Sequence, residues 1–408
     1  MVAPPKRRAP HKAIHYRTRD KGTFRNGAKS GGGGEGGVED EEDLVQSESP
    51  RNINSSKHNQ ELLNIFRNTY YELLTSSDFT PKLQAVKQAL FERDFAKAFG
   101  DQENLEVYAA RWSPTRALCY ASVFAGIRDQ LEAISTPLPP ITITISEKED
   151  DTPKNEGKPD EQEQHTHHHH LPVLAIGGCA AELVAFGSLL SAHLPSTTSG
   201  SITLLDSGPW GQVITSLAEA ITAPPPVSKY ASAAVKARGP GNALIHPPSR
   251  LVSSKFVQQD VLTLGSEGLS QTMSSENHPS LITLLFTLNE LFTAGGIGRT
   301  TKFLMDLTSV VPFGSLLLVV DSPGSYSETT VGKEAKRYPM QWLLDRIILG
   351  TQREPVAGRR WKKLESHDAI WFRLDQKELD YPIPLENMRY QMHLYKVQDA
   401  SLPEGDDE

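Results

Sequence analysis

The stretch Leu171–Leu190, LPVLAIGGCAAELVAFGSLL, admits few architectures. Val173–Ile176 is a short apolar run that stops at Gly177-Gly178. Cys179, Ala180 and Ala181 then open an amphipathic helix carrying Leu183, Val184, Phe186, Leu189 and Leu190. Glycines at a strand-to-helix turn let the backbone approach a ligand closely, and the helix N-terminus offers free N–H groups to an anionic one. In an open parallel sheet such a turn lies at the carboxyl edge, where nucleotide-type ligands bind. The pattern is G-G-x-A-A-E and lacks the third glycine of a dinucleotide fingerprint, so a plain tight turn of any α/β protein stays open.

A chain of 408 residues has room for two or three domains, or for one large domain with tails. Its 38% apolar content and mean hydropathy of −0.40 fit a globular core diluted by polar segments. Two cysteines, Cys119 and Cys179, are too few for a metal cluster or a disulfide framework, which points to a reducing compartment. No apolar run is long enough to span a bilayer, and the basic N-terminus lacks the apolar core of a secretory signal. A soluble intracellular protein with no membrane partner is therefore expected. The net charge of −8 disfavours a uniformly basic nucleic-acid binder, yet residues 1–30 hold nine Lys or Arg against Asp20 alone. That arm reads as a nuclear-localisation or phosphate-contacting segment, or as a merely solvated tail.

Residues 1–57 read as a disordered tail, basic and then acidic, and 58–134 as a helical N-terminal subdomain. Within it Leu62, Leu63, Ile65, Phe66, Tyr70, Leu73 and Leu74 repeat at helical spacing from Gln60. A second helix starts at Thr80-Pro81, with Leu83, Val86, Leu90, Phe91 and Phe95 on one face. A third covers Leu105–Trp112, and Ser113 as N-cap with Pro114 opens a fourth through Ile127. Residues 135–170 form a low-complexity linker with a short alternating run, ITITI at 141–145, and end in HTHHHH at 165–170. That histidine run has no Cys or acid at ligand spacing, so no metal site is expected. From 171 to 398 strands and helices alternate, interrupted by a Pro-rich insert at about 223–250 and followed by a tail at 399–408. The strands are Val173–Ile176, Ile202–Leu205, Lys255–Gln259, Leu281–Phe286 and Gly314–Val320. Ala369–Leu374 and Tyr390–Val397 follow with only loop between them, as in a hairpin. The sum is an α/β protein with a doubly wound sheet carrying one reversed strand.

Acids end three of these strands: Asp206, Asp260 and Asp321. Asp206, 28 residues after Gly178, is placed to accept from both hydroxyls of a ribose. Asp260, followed by Val261, is placed to accept from an exocyclic adenine amine. Each could equally be a helix cap or a turn acid, but together with the glycine turn their order favours a nucleoside ligand. Asn289 and Glu290 close the fourth strand, where an open sheet presents reactive groups. Asn can bond a planar base edge, and Glu can accept a proton.

The ordered blocks IGGCAAE, LLDSGPW, FVQQDVL and FTLNELF, with the final hairpin, resemble class I S-adenosylmethionine-dependent methyltransferases. FERDFAKAFG, YAARWSPTRALCY and FTLNELF resemble, more narrowly, the fungal 25S ribosomal RNA uridine-N3 methyltransferase family, over roughly residues 58–398. The resemblance implies a Rossmann-like sheet of order 3-2-1-4-5-7-6, its last strand antiparallel, with S-adenosyl-L-methionine at the first turn. It implies ribosomal RNA within a pre-60S particle as partner, and the nucleus or nucleolus as location, with the cytoplasm open. Carried across, Gly177, Gly178, Cys179, Ala180 and Glu182 would face the methionine part, Asp206 the ribose, and Asp260 with Val261 the adenine. Arg111 and Trp112 would cover the pocket from the helical side, with Tyr108 either joining them or packing between helices. Cys179-Ala180-Ala181 departs from the family's usual glycine-richer turn.

Asn289 and Glu290 would face the target base as the catalytic pair, with Asp321 in reserve as base. Uridine N3 carries a proton and attacks a methyl group only once it is lost, so a base or anion-stabilising donors are required. N3 lies on the Watson–Crick edge, which calls for an unpaired or flipped nucleotide. Arg359, Arg360, Trp361, Lys362 and Lys363, with Lys333, Lys336 and Arg337, suggest an RNA-binding loop. The alternatives are a methyltransferase acting on protein or a small molecule, and a non-catalytic ribosome-assembly factor. An NAD-dependent dehydrogenase fits less well, for want of the complete glycine fingerprint and a hydride-transfer pattern.

Overall fold

Strands apolar on both faces need cover on both faces. In β1 (His169–Ile176), Val173 and Ala175 enter one core while Leu174 and Ile176 enter another. β2 (Thr198–Asp206) divides Leu204 from Leu205 in the same way, and β4 (Leu281–Leu285) divides Leu281 from Ile282. The computed structural model describes residues 54–137, 168–225, 232–233, 242–273, 278–324, 326–331 and 334–402. The basic arm, the ITITI run and Lys333 lie outside the described residues.

With β3 (Leu251–Gln258), β5 (Leu316–Asp321), β6 (Arg359–Phe372) and β7 (Met388–Asp399), the sheet order is β3-β2-β1-β4-β5-β7-β6. β1 to β5 pair in parallel, whereas β7 runs antiparallel to both of its neighbours, β5 and β6. This is the expected order with its one reversed strand. Thr136–Pro137 adds a short antiparallel edge against His169–His170. Those two histidines therefore begin β1, where the sequence reading had them end a linker. The His170 ring lies 3.1 and 3.0 Å from the hydroxyls of Ser199 and Ser201 on β2.

One face of the sheet is covered by helices drawn from α1 (Ser56–Thr69), α2 (Tyr71–Thr75), α3 (Phe79–Phe91), α4 (Phe95–Phe99), α5 (Gln102–Arg111), α6 (Ser113–Gly126), α7 (Arg128–Ile134), α8 (Ala180–Ser188) and α9 (Gly211–Thr222). The other is covered by Gly265–Thr272, Ile297–Val310 and Met340–Ile348. Each large aliphatic side chain taken into these cores contributes roughly 1.5–3 kcal/mol. α1 starts four residues ahead of the apolar periodicity, because Ser55 accepts from the His58 N–H at 3.2 Å and caps a polar first turn. The single helix expected after Thr80 is two, Phe79–Phe91 and Phe95–Phe99 (α4), broken where Arg93 takes a φ of +57°. Phe91 is thereby turned out of the core and is 84% exposed. Ser113 sits inside the first turn of α6 with Trp112 as N-cap, so it does not cap that helix.

The connection between β6 and β7 is loop, as expected, and it fastens the helices to the sheet. Tyr381 donates to the Ala110 carbonyl at 2.7 Å, and Asp380 accepts from Arg67 at 2.8 Å. Arg359–Lys363, read from sequence as a basic loop, is instead the first part of β6, with Trp361 buried at 1% exposure. Its indole N–H donates to Thr308 at 2.9 Å, so this ring is core and has no face for a base. None of the described helices is long and apolar enough to cross a membrane.

Candidate active site

The tips of β1, β2, β4 and β5 converge on a cavity of about 480 Å³, closed on the helical side by α4, α5 and α6. Gly177 ends β1 with a φ of +66°, and a Cβ there would run into the Thr287 side chain beyond β4. Glycine lets the two turns touch without closing the hollow. Glu182, in the first turn of α8, reaches back so that Oε2 accepts from the Cys179 N–H at 2.8 Å. Burial pushes its carboxyl up to about 7, against the pull of those backbone bonds and of Arg116. Burial likewise raises the Cys179 thiol, and Asp206 and Glu182 add to the effect, so it stays protonated and is no nucleophile.

Asp206 closes β2. Its Oδ1 accepts from the Gly208 N–H at 2.7 Å, and the Trp210 side chain bonds the same carboxyl. Burial raises its pKa while these bonds oppose the rise. A carboxylate accepts about four hydrogen bonds, so capacity remains for a ligand. Tyr108, Trp112, Trp210 and Phe99 wall this end, with Tyr108 ring centroids 4.9 Å from Trp112 and 5.7 Å from Trp210. Tyr108 thus both packs and lines.

The β4 tip carries the strain. Phe286 has a φ of +56°, a left-handed conformation that costs a side-chain-bearing residue about 1–3 kcal/mol. Its ring lies 6.3 Å from that of Tyr120, with the Arg116 guanidinium 5.6 Å above it. One helical turn, Leu288–Glu290, then widens into a π-helical turn, Leu291–Gly295, a distortion that recurs at functional sites. Asp321 accepts from the Asn289 N–H at 3.0 Å and from the Ser322 N–H at 2.8 Å. Asn289 Oδ1 and Glu290 Oε2 are buried and accept no hydrogen bond, while the other Glu290 oxygen lies 3.7 Å from Arg93.

Of the residues expected from sequence, Gly177, Cys179, Ala180, Glu182, Asp206, Tyr108, Trp112, Asn289, Glu290 and Asp321 line the cavity. Gly178 stands behind the wall, where a Cβ would press on Ala175 and Glu182. Asp260, Val261 and Arg111 are not brought to it. Asp260 caps its own turn through the Leu262 N–H at 2.9 Å and meets Arg299 at 3.2 Å, while Val261 is in the second core. Arg111 pairs with Glu386 of the β6–β7 connection, because the chain turns at Trp112. The guanidinium in the cavity is that of Arg116, donating to the Tyr108 hydroxyl and centred 5.5 Å over its ring. It is the lone charge in the apolar helix SPTRALCYASVFAG, a signal that a paired or liganded cation should have been sought there. A larger cleft of about 830 Å³ lies between α1 and α9 and contains none of the expected residues.

Residues 66–396 match the model of a family described as SAM-dependent methyltransferases, a span covering more than half of the chain. The chain belongs to this family. This methyltransferase is 31% identical over 386 residues to the 25S rRNA (uridine(2843)-N(3))-methyltransferase of Saccharomyces cerevisiae, with 86% of this chain and 92% of that one covered. Among solved structures it is similar to an O-methyltransferase family protein from Burkholderia thailandensis, at 11% identity, 80% of this chain, 74% of that chain and a TM-score of 0.31. It is also similar to the N-methyltransferase NodS from Bradyrhizobium japonicum in complex with S-adenosyl-L-homocysteine, at 10% identity, 55% and 77% coverage and a TM-score of 0.27. Likenesses at that level add nothing to the strand order, which is that of class I methyltransferases. The residues present fit S-adenosylmethionine: an open glycine turn, the buried Glu182 carboxyl for its ammonium, the half-buried Asp206 for its ribose, and the half-buried Arg116 guanidinium for its carboxylate.

Proposed function

We propose that this methyltransferase acts on N3 of a uridine in large-subunit ribosomal RNA. The observation that carries the reading is the pair of buried, unpartnered acceptors, Asn289 Oδ1 and Glu290 Oε2, in the wall that also holds Asp206. Buried acceptors without donors are costly, about 1–3 kcal/mol each; the one N–H of a uracil edge, N3–H, relieves Glu290 Oε2, and the Asn289 amide has an NH₂ side to donate to a flanking uracil carbonyl. The similarity to the yeast uridine-N3 enzyme, along nearly the whole of both chains, supports the same target chemistry.

S-adenosylmethionine, when bound, supplies a methyl group on a positively charged sulfur. Asp206 accepts from the ribose hydroxyls, and Arg116 holds the carboxylate of the methionine end. Gly177, Cys179 and Ala180 give the backbone surface for that end, Gly178 seats that turn against Ala175 from behind, and Glu182 favours its ammonium. The adenine reaches past Asp206, beyond the cavity lining, to Asp260 and Val261 in the loop after β3, which the Gln259 N–H ties to the Asp206 carbonyl at 2.8 Å. Trp112 and Tyr108 close the pocket against water. Glu290 Oε2 takes the proton from uridine N3, Asn289 orients the uracil through its edge, and Asp321 positions Asn289. The uridine enters unpaired, since its Watson–Crick edge must face Glu290.

The enzyme acts on pre-60S particles in the nucleus or nucleolus in this reading. The test is transfer of labelled methyl from S-adenosylmethionine into 25S ribosomal RNA taken from cells lacking the protein, followed by nucleoside mapping. N3-methyluridine appearing at one position is the expected result. Label entering protein or small molecules alone, or no label at all, overturns it.

A further inference from the structure

The hairpin register sends the two ends of β6 to opposite ends of the sheet. Lys396 of β7 pairs with Leu316, the start of β5, whereas Gln391 pairs with Asp321 at its active-site tip. On the β6 side, Asp399 pairs with Arg359, while Arg389 pairs with Trp371. The basic run at 359–363 is therefore at the amino end of the sheet, away from the cavity. It is also engaged there: Lys363 donates to Asp345 at 2.6 Å, Arg359 to the Val311 carbonyl at 2.6 Å and Arg360 to the Leu402 carbonyl at 2.7 Å.

At the other end the strands project past the cavity. Arg389 lies two residues beyond Gln391, about 7 Å at the rise of a strand, and Gln391 itself donates to the Ser322 carbonyl at 2.7 Å. Here the alternation sends Phe372 and Tyr390 into the core and leaves Trp371 39% exposed. The guanidiniums of Arg373 and Arg389 lie 5.4 and 5.5 Å from the Trp371 ring centre. Among the described residues neither arginine makes an ion pair, whereas Arg67, Arg93, Arg111 and Arg299 all do. Two exposed cations flanking an exposed indole, neither ion-paired among the described residues, call for a partner that brings both a π-face and negative charge. Unpaired RNA brings both in every nucleotide.

We infer that Trp371, Arg373 and Arg389 form a platform that binds the RNA strand next to the target uridine. A base packs on the indole and the guanidiniums meet its flanking phosphates. This rests on the reading that the substrate is RNA. It adds where the strand lies: across the projecting end of the β6–β7 hairpin, beside the β5 tip.

The test uses the full chain and a fragment of 25S ribosomal RNA spanning the methylated uridine. Trp371→Ala and the double variant Arg373→Ala/Arg389→Ala are compared with wild type and with Tyr71→Ala, a change at an exposed ring in the helical region. Each platform variant should raise the KM and Kd for RNA about tenfold, the scale of losing one stacked base or two phosphate contacts. The double variant should also flatten the log–log salt dependence of binding by about 1.4, or ~0.7 per phosphate contact on a single strand. Calorimetry with S-adenosylmethionine, giving wild-type affinity, reports that each variant is folded. RNA binding with wild-type affinity and salt slope in both variants overturns the platform, even where wild type methylates RNA. Loss of RNA binding in the variants, coupled with a wild type that transfers no methyl to RNA, keeps the platform and overturns the proposed function. An acidic peptide competing at this surface while RNA does not overturns RNA as its partner.

Discussion

The backbone N–H of Asn289 donates to Oδ2 of Asp321 at 3.0 Å, so the reactive turn after β4 hangs from the carboxylate that ends β5. That carboxylate also accepts from Ser322, which leaves it little freedom to act as a base. Asp321→Asn keeps the shape and removes the charge from both bonds. Charge-assisted bonds of this kind contribute about 1.5–3 kcal/mol, so the single-turnover rate should fall roughly 10- to 100-fold. The affinity for S-adenosylmethionine, read by calorimetry, should hold. An equal loss in rate and affinity would instead show that the whole pocket had shifted.

Glu290→Gln removes the proton acceptor and retains the size of the side chain. General-base catalysis is worth about 10²–10⁴ in rate, and the single-turnover methylation rate should drop by that order. Raising the pH toward the ionisation of uridine should recover part of the loss in the variant. An unchanged rate would remove Glu290 from the mechanism.

Glu182 makes stability depend on pH. Its folded carboxyl titrates at about 7 against an ordinary 4.5, so the folded state holds its proton more tightly than the unfolded one. Its contribution is complete below about pH 4.5 and is lost as pH rises through about 7, a change of about 3 kcal/mol at 1.36 kcal/mol per unit. Glu182→Gln should abolish that part of the slope. Urea unfolding at pH 5 and pH 8, wild type against variant, isolates it from the histidines, which both proteins share. Parallel pH profiles would count against a buried carboxylate at this site.

Trp361→Ala should cost about 3–5 kcal/mol of stability, since it empties a fully buried site and removes the indole donor to Thr308, whose hydroxyl keeps only the Leu304 carbonyl. Chemical unfolding measures it. The variant that remains folded should bind RNA as wild type does, in contrast to Trp371→Ala.

The doubly wound class was legible because β1, β2, β4 and β5 are apolar runs, three of them closing on Gly177, Asp206 or Asp321, whereas the strand order came from the family resemblance; the turn at Gly177 needs glycine for a reason of local geometry. Asp206, Asn289 and Glu290 were legible as strand-end residues, and they do share one cavity. Arg116 was not, because its neighbours in sequence are apolar and its partners, Tyr108 and Phe286, come from other elements. The exchange of Trp361 for Trp371 as the exposed ring is a matter of length. β6 begins ten residues earlier than its apolar part suggested, and the polar residues at its start are held by carbonyls and Asp345 rather than by water. Arg111 and Asp260 lie outside the cavity lining, each held by a partner distant in the chain, Glu386 and Arg299, that no local pattern announces.

The insertion of Met388–Asp399 between β5 and β6 makes the sheet's closing act a late one. Polypeptide interrupted ahead of Met388 would leave Leu316–Asp321 with a bare row of amide and carbonyl groups, flanked by Leu317, Leu318 and Val319. Such an edge recruits other strands. Nonsense or frameshift changes between Asp321 and Met388 should therefore yield aggregates rather than a smaller working enzyme.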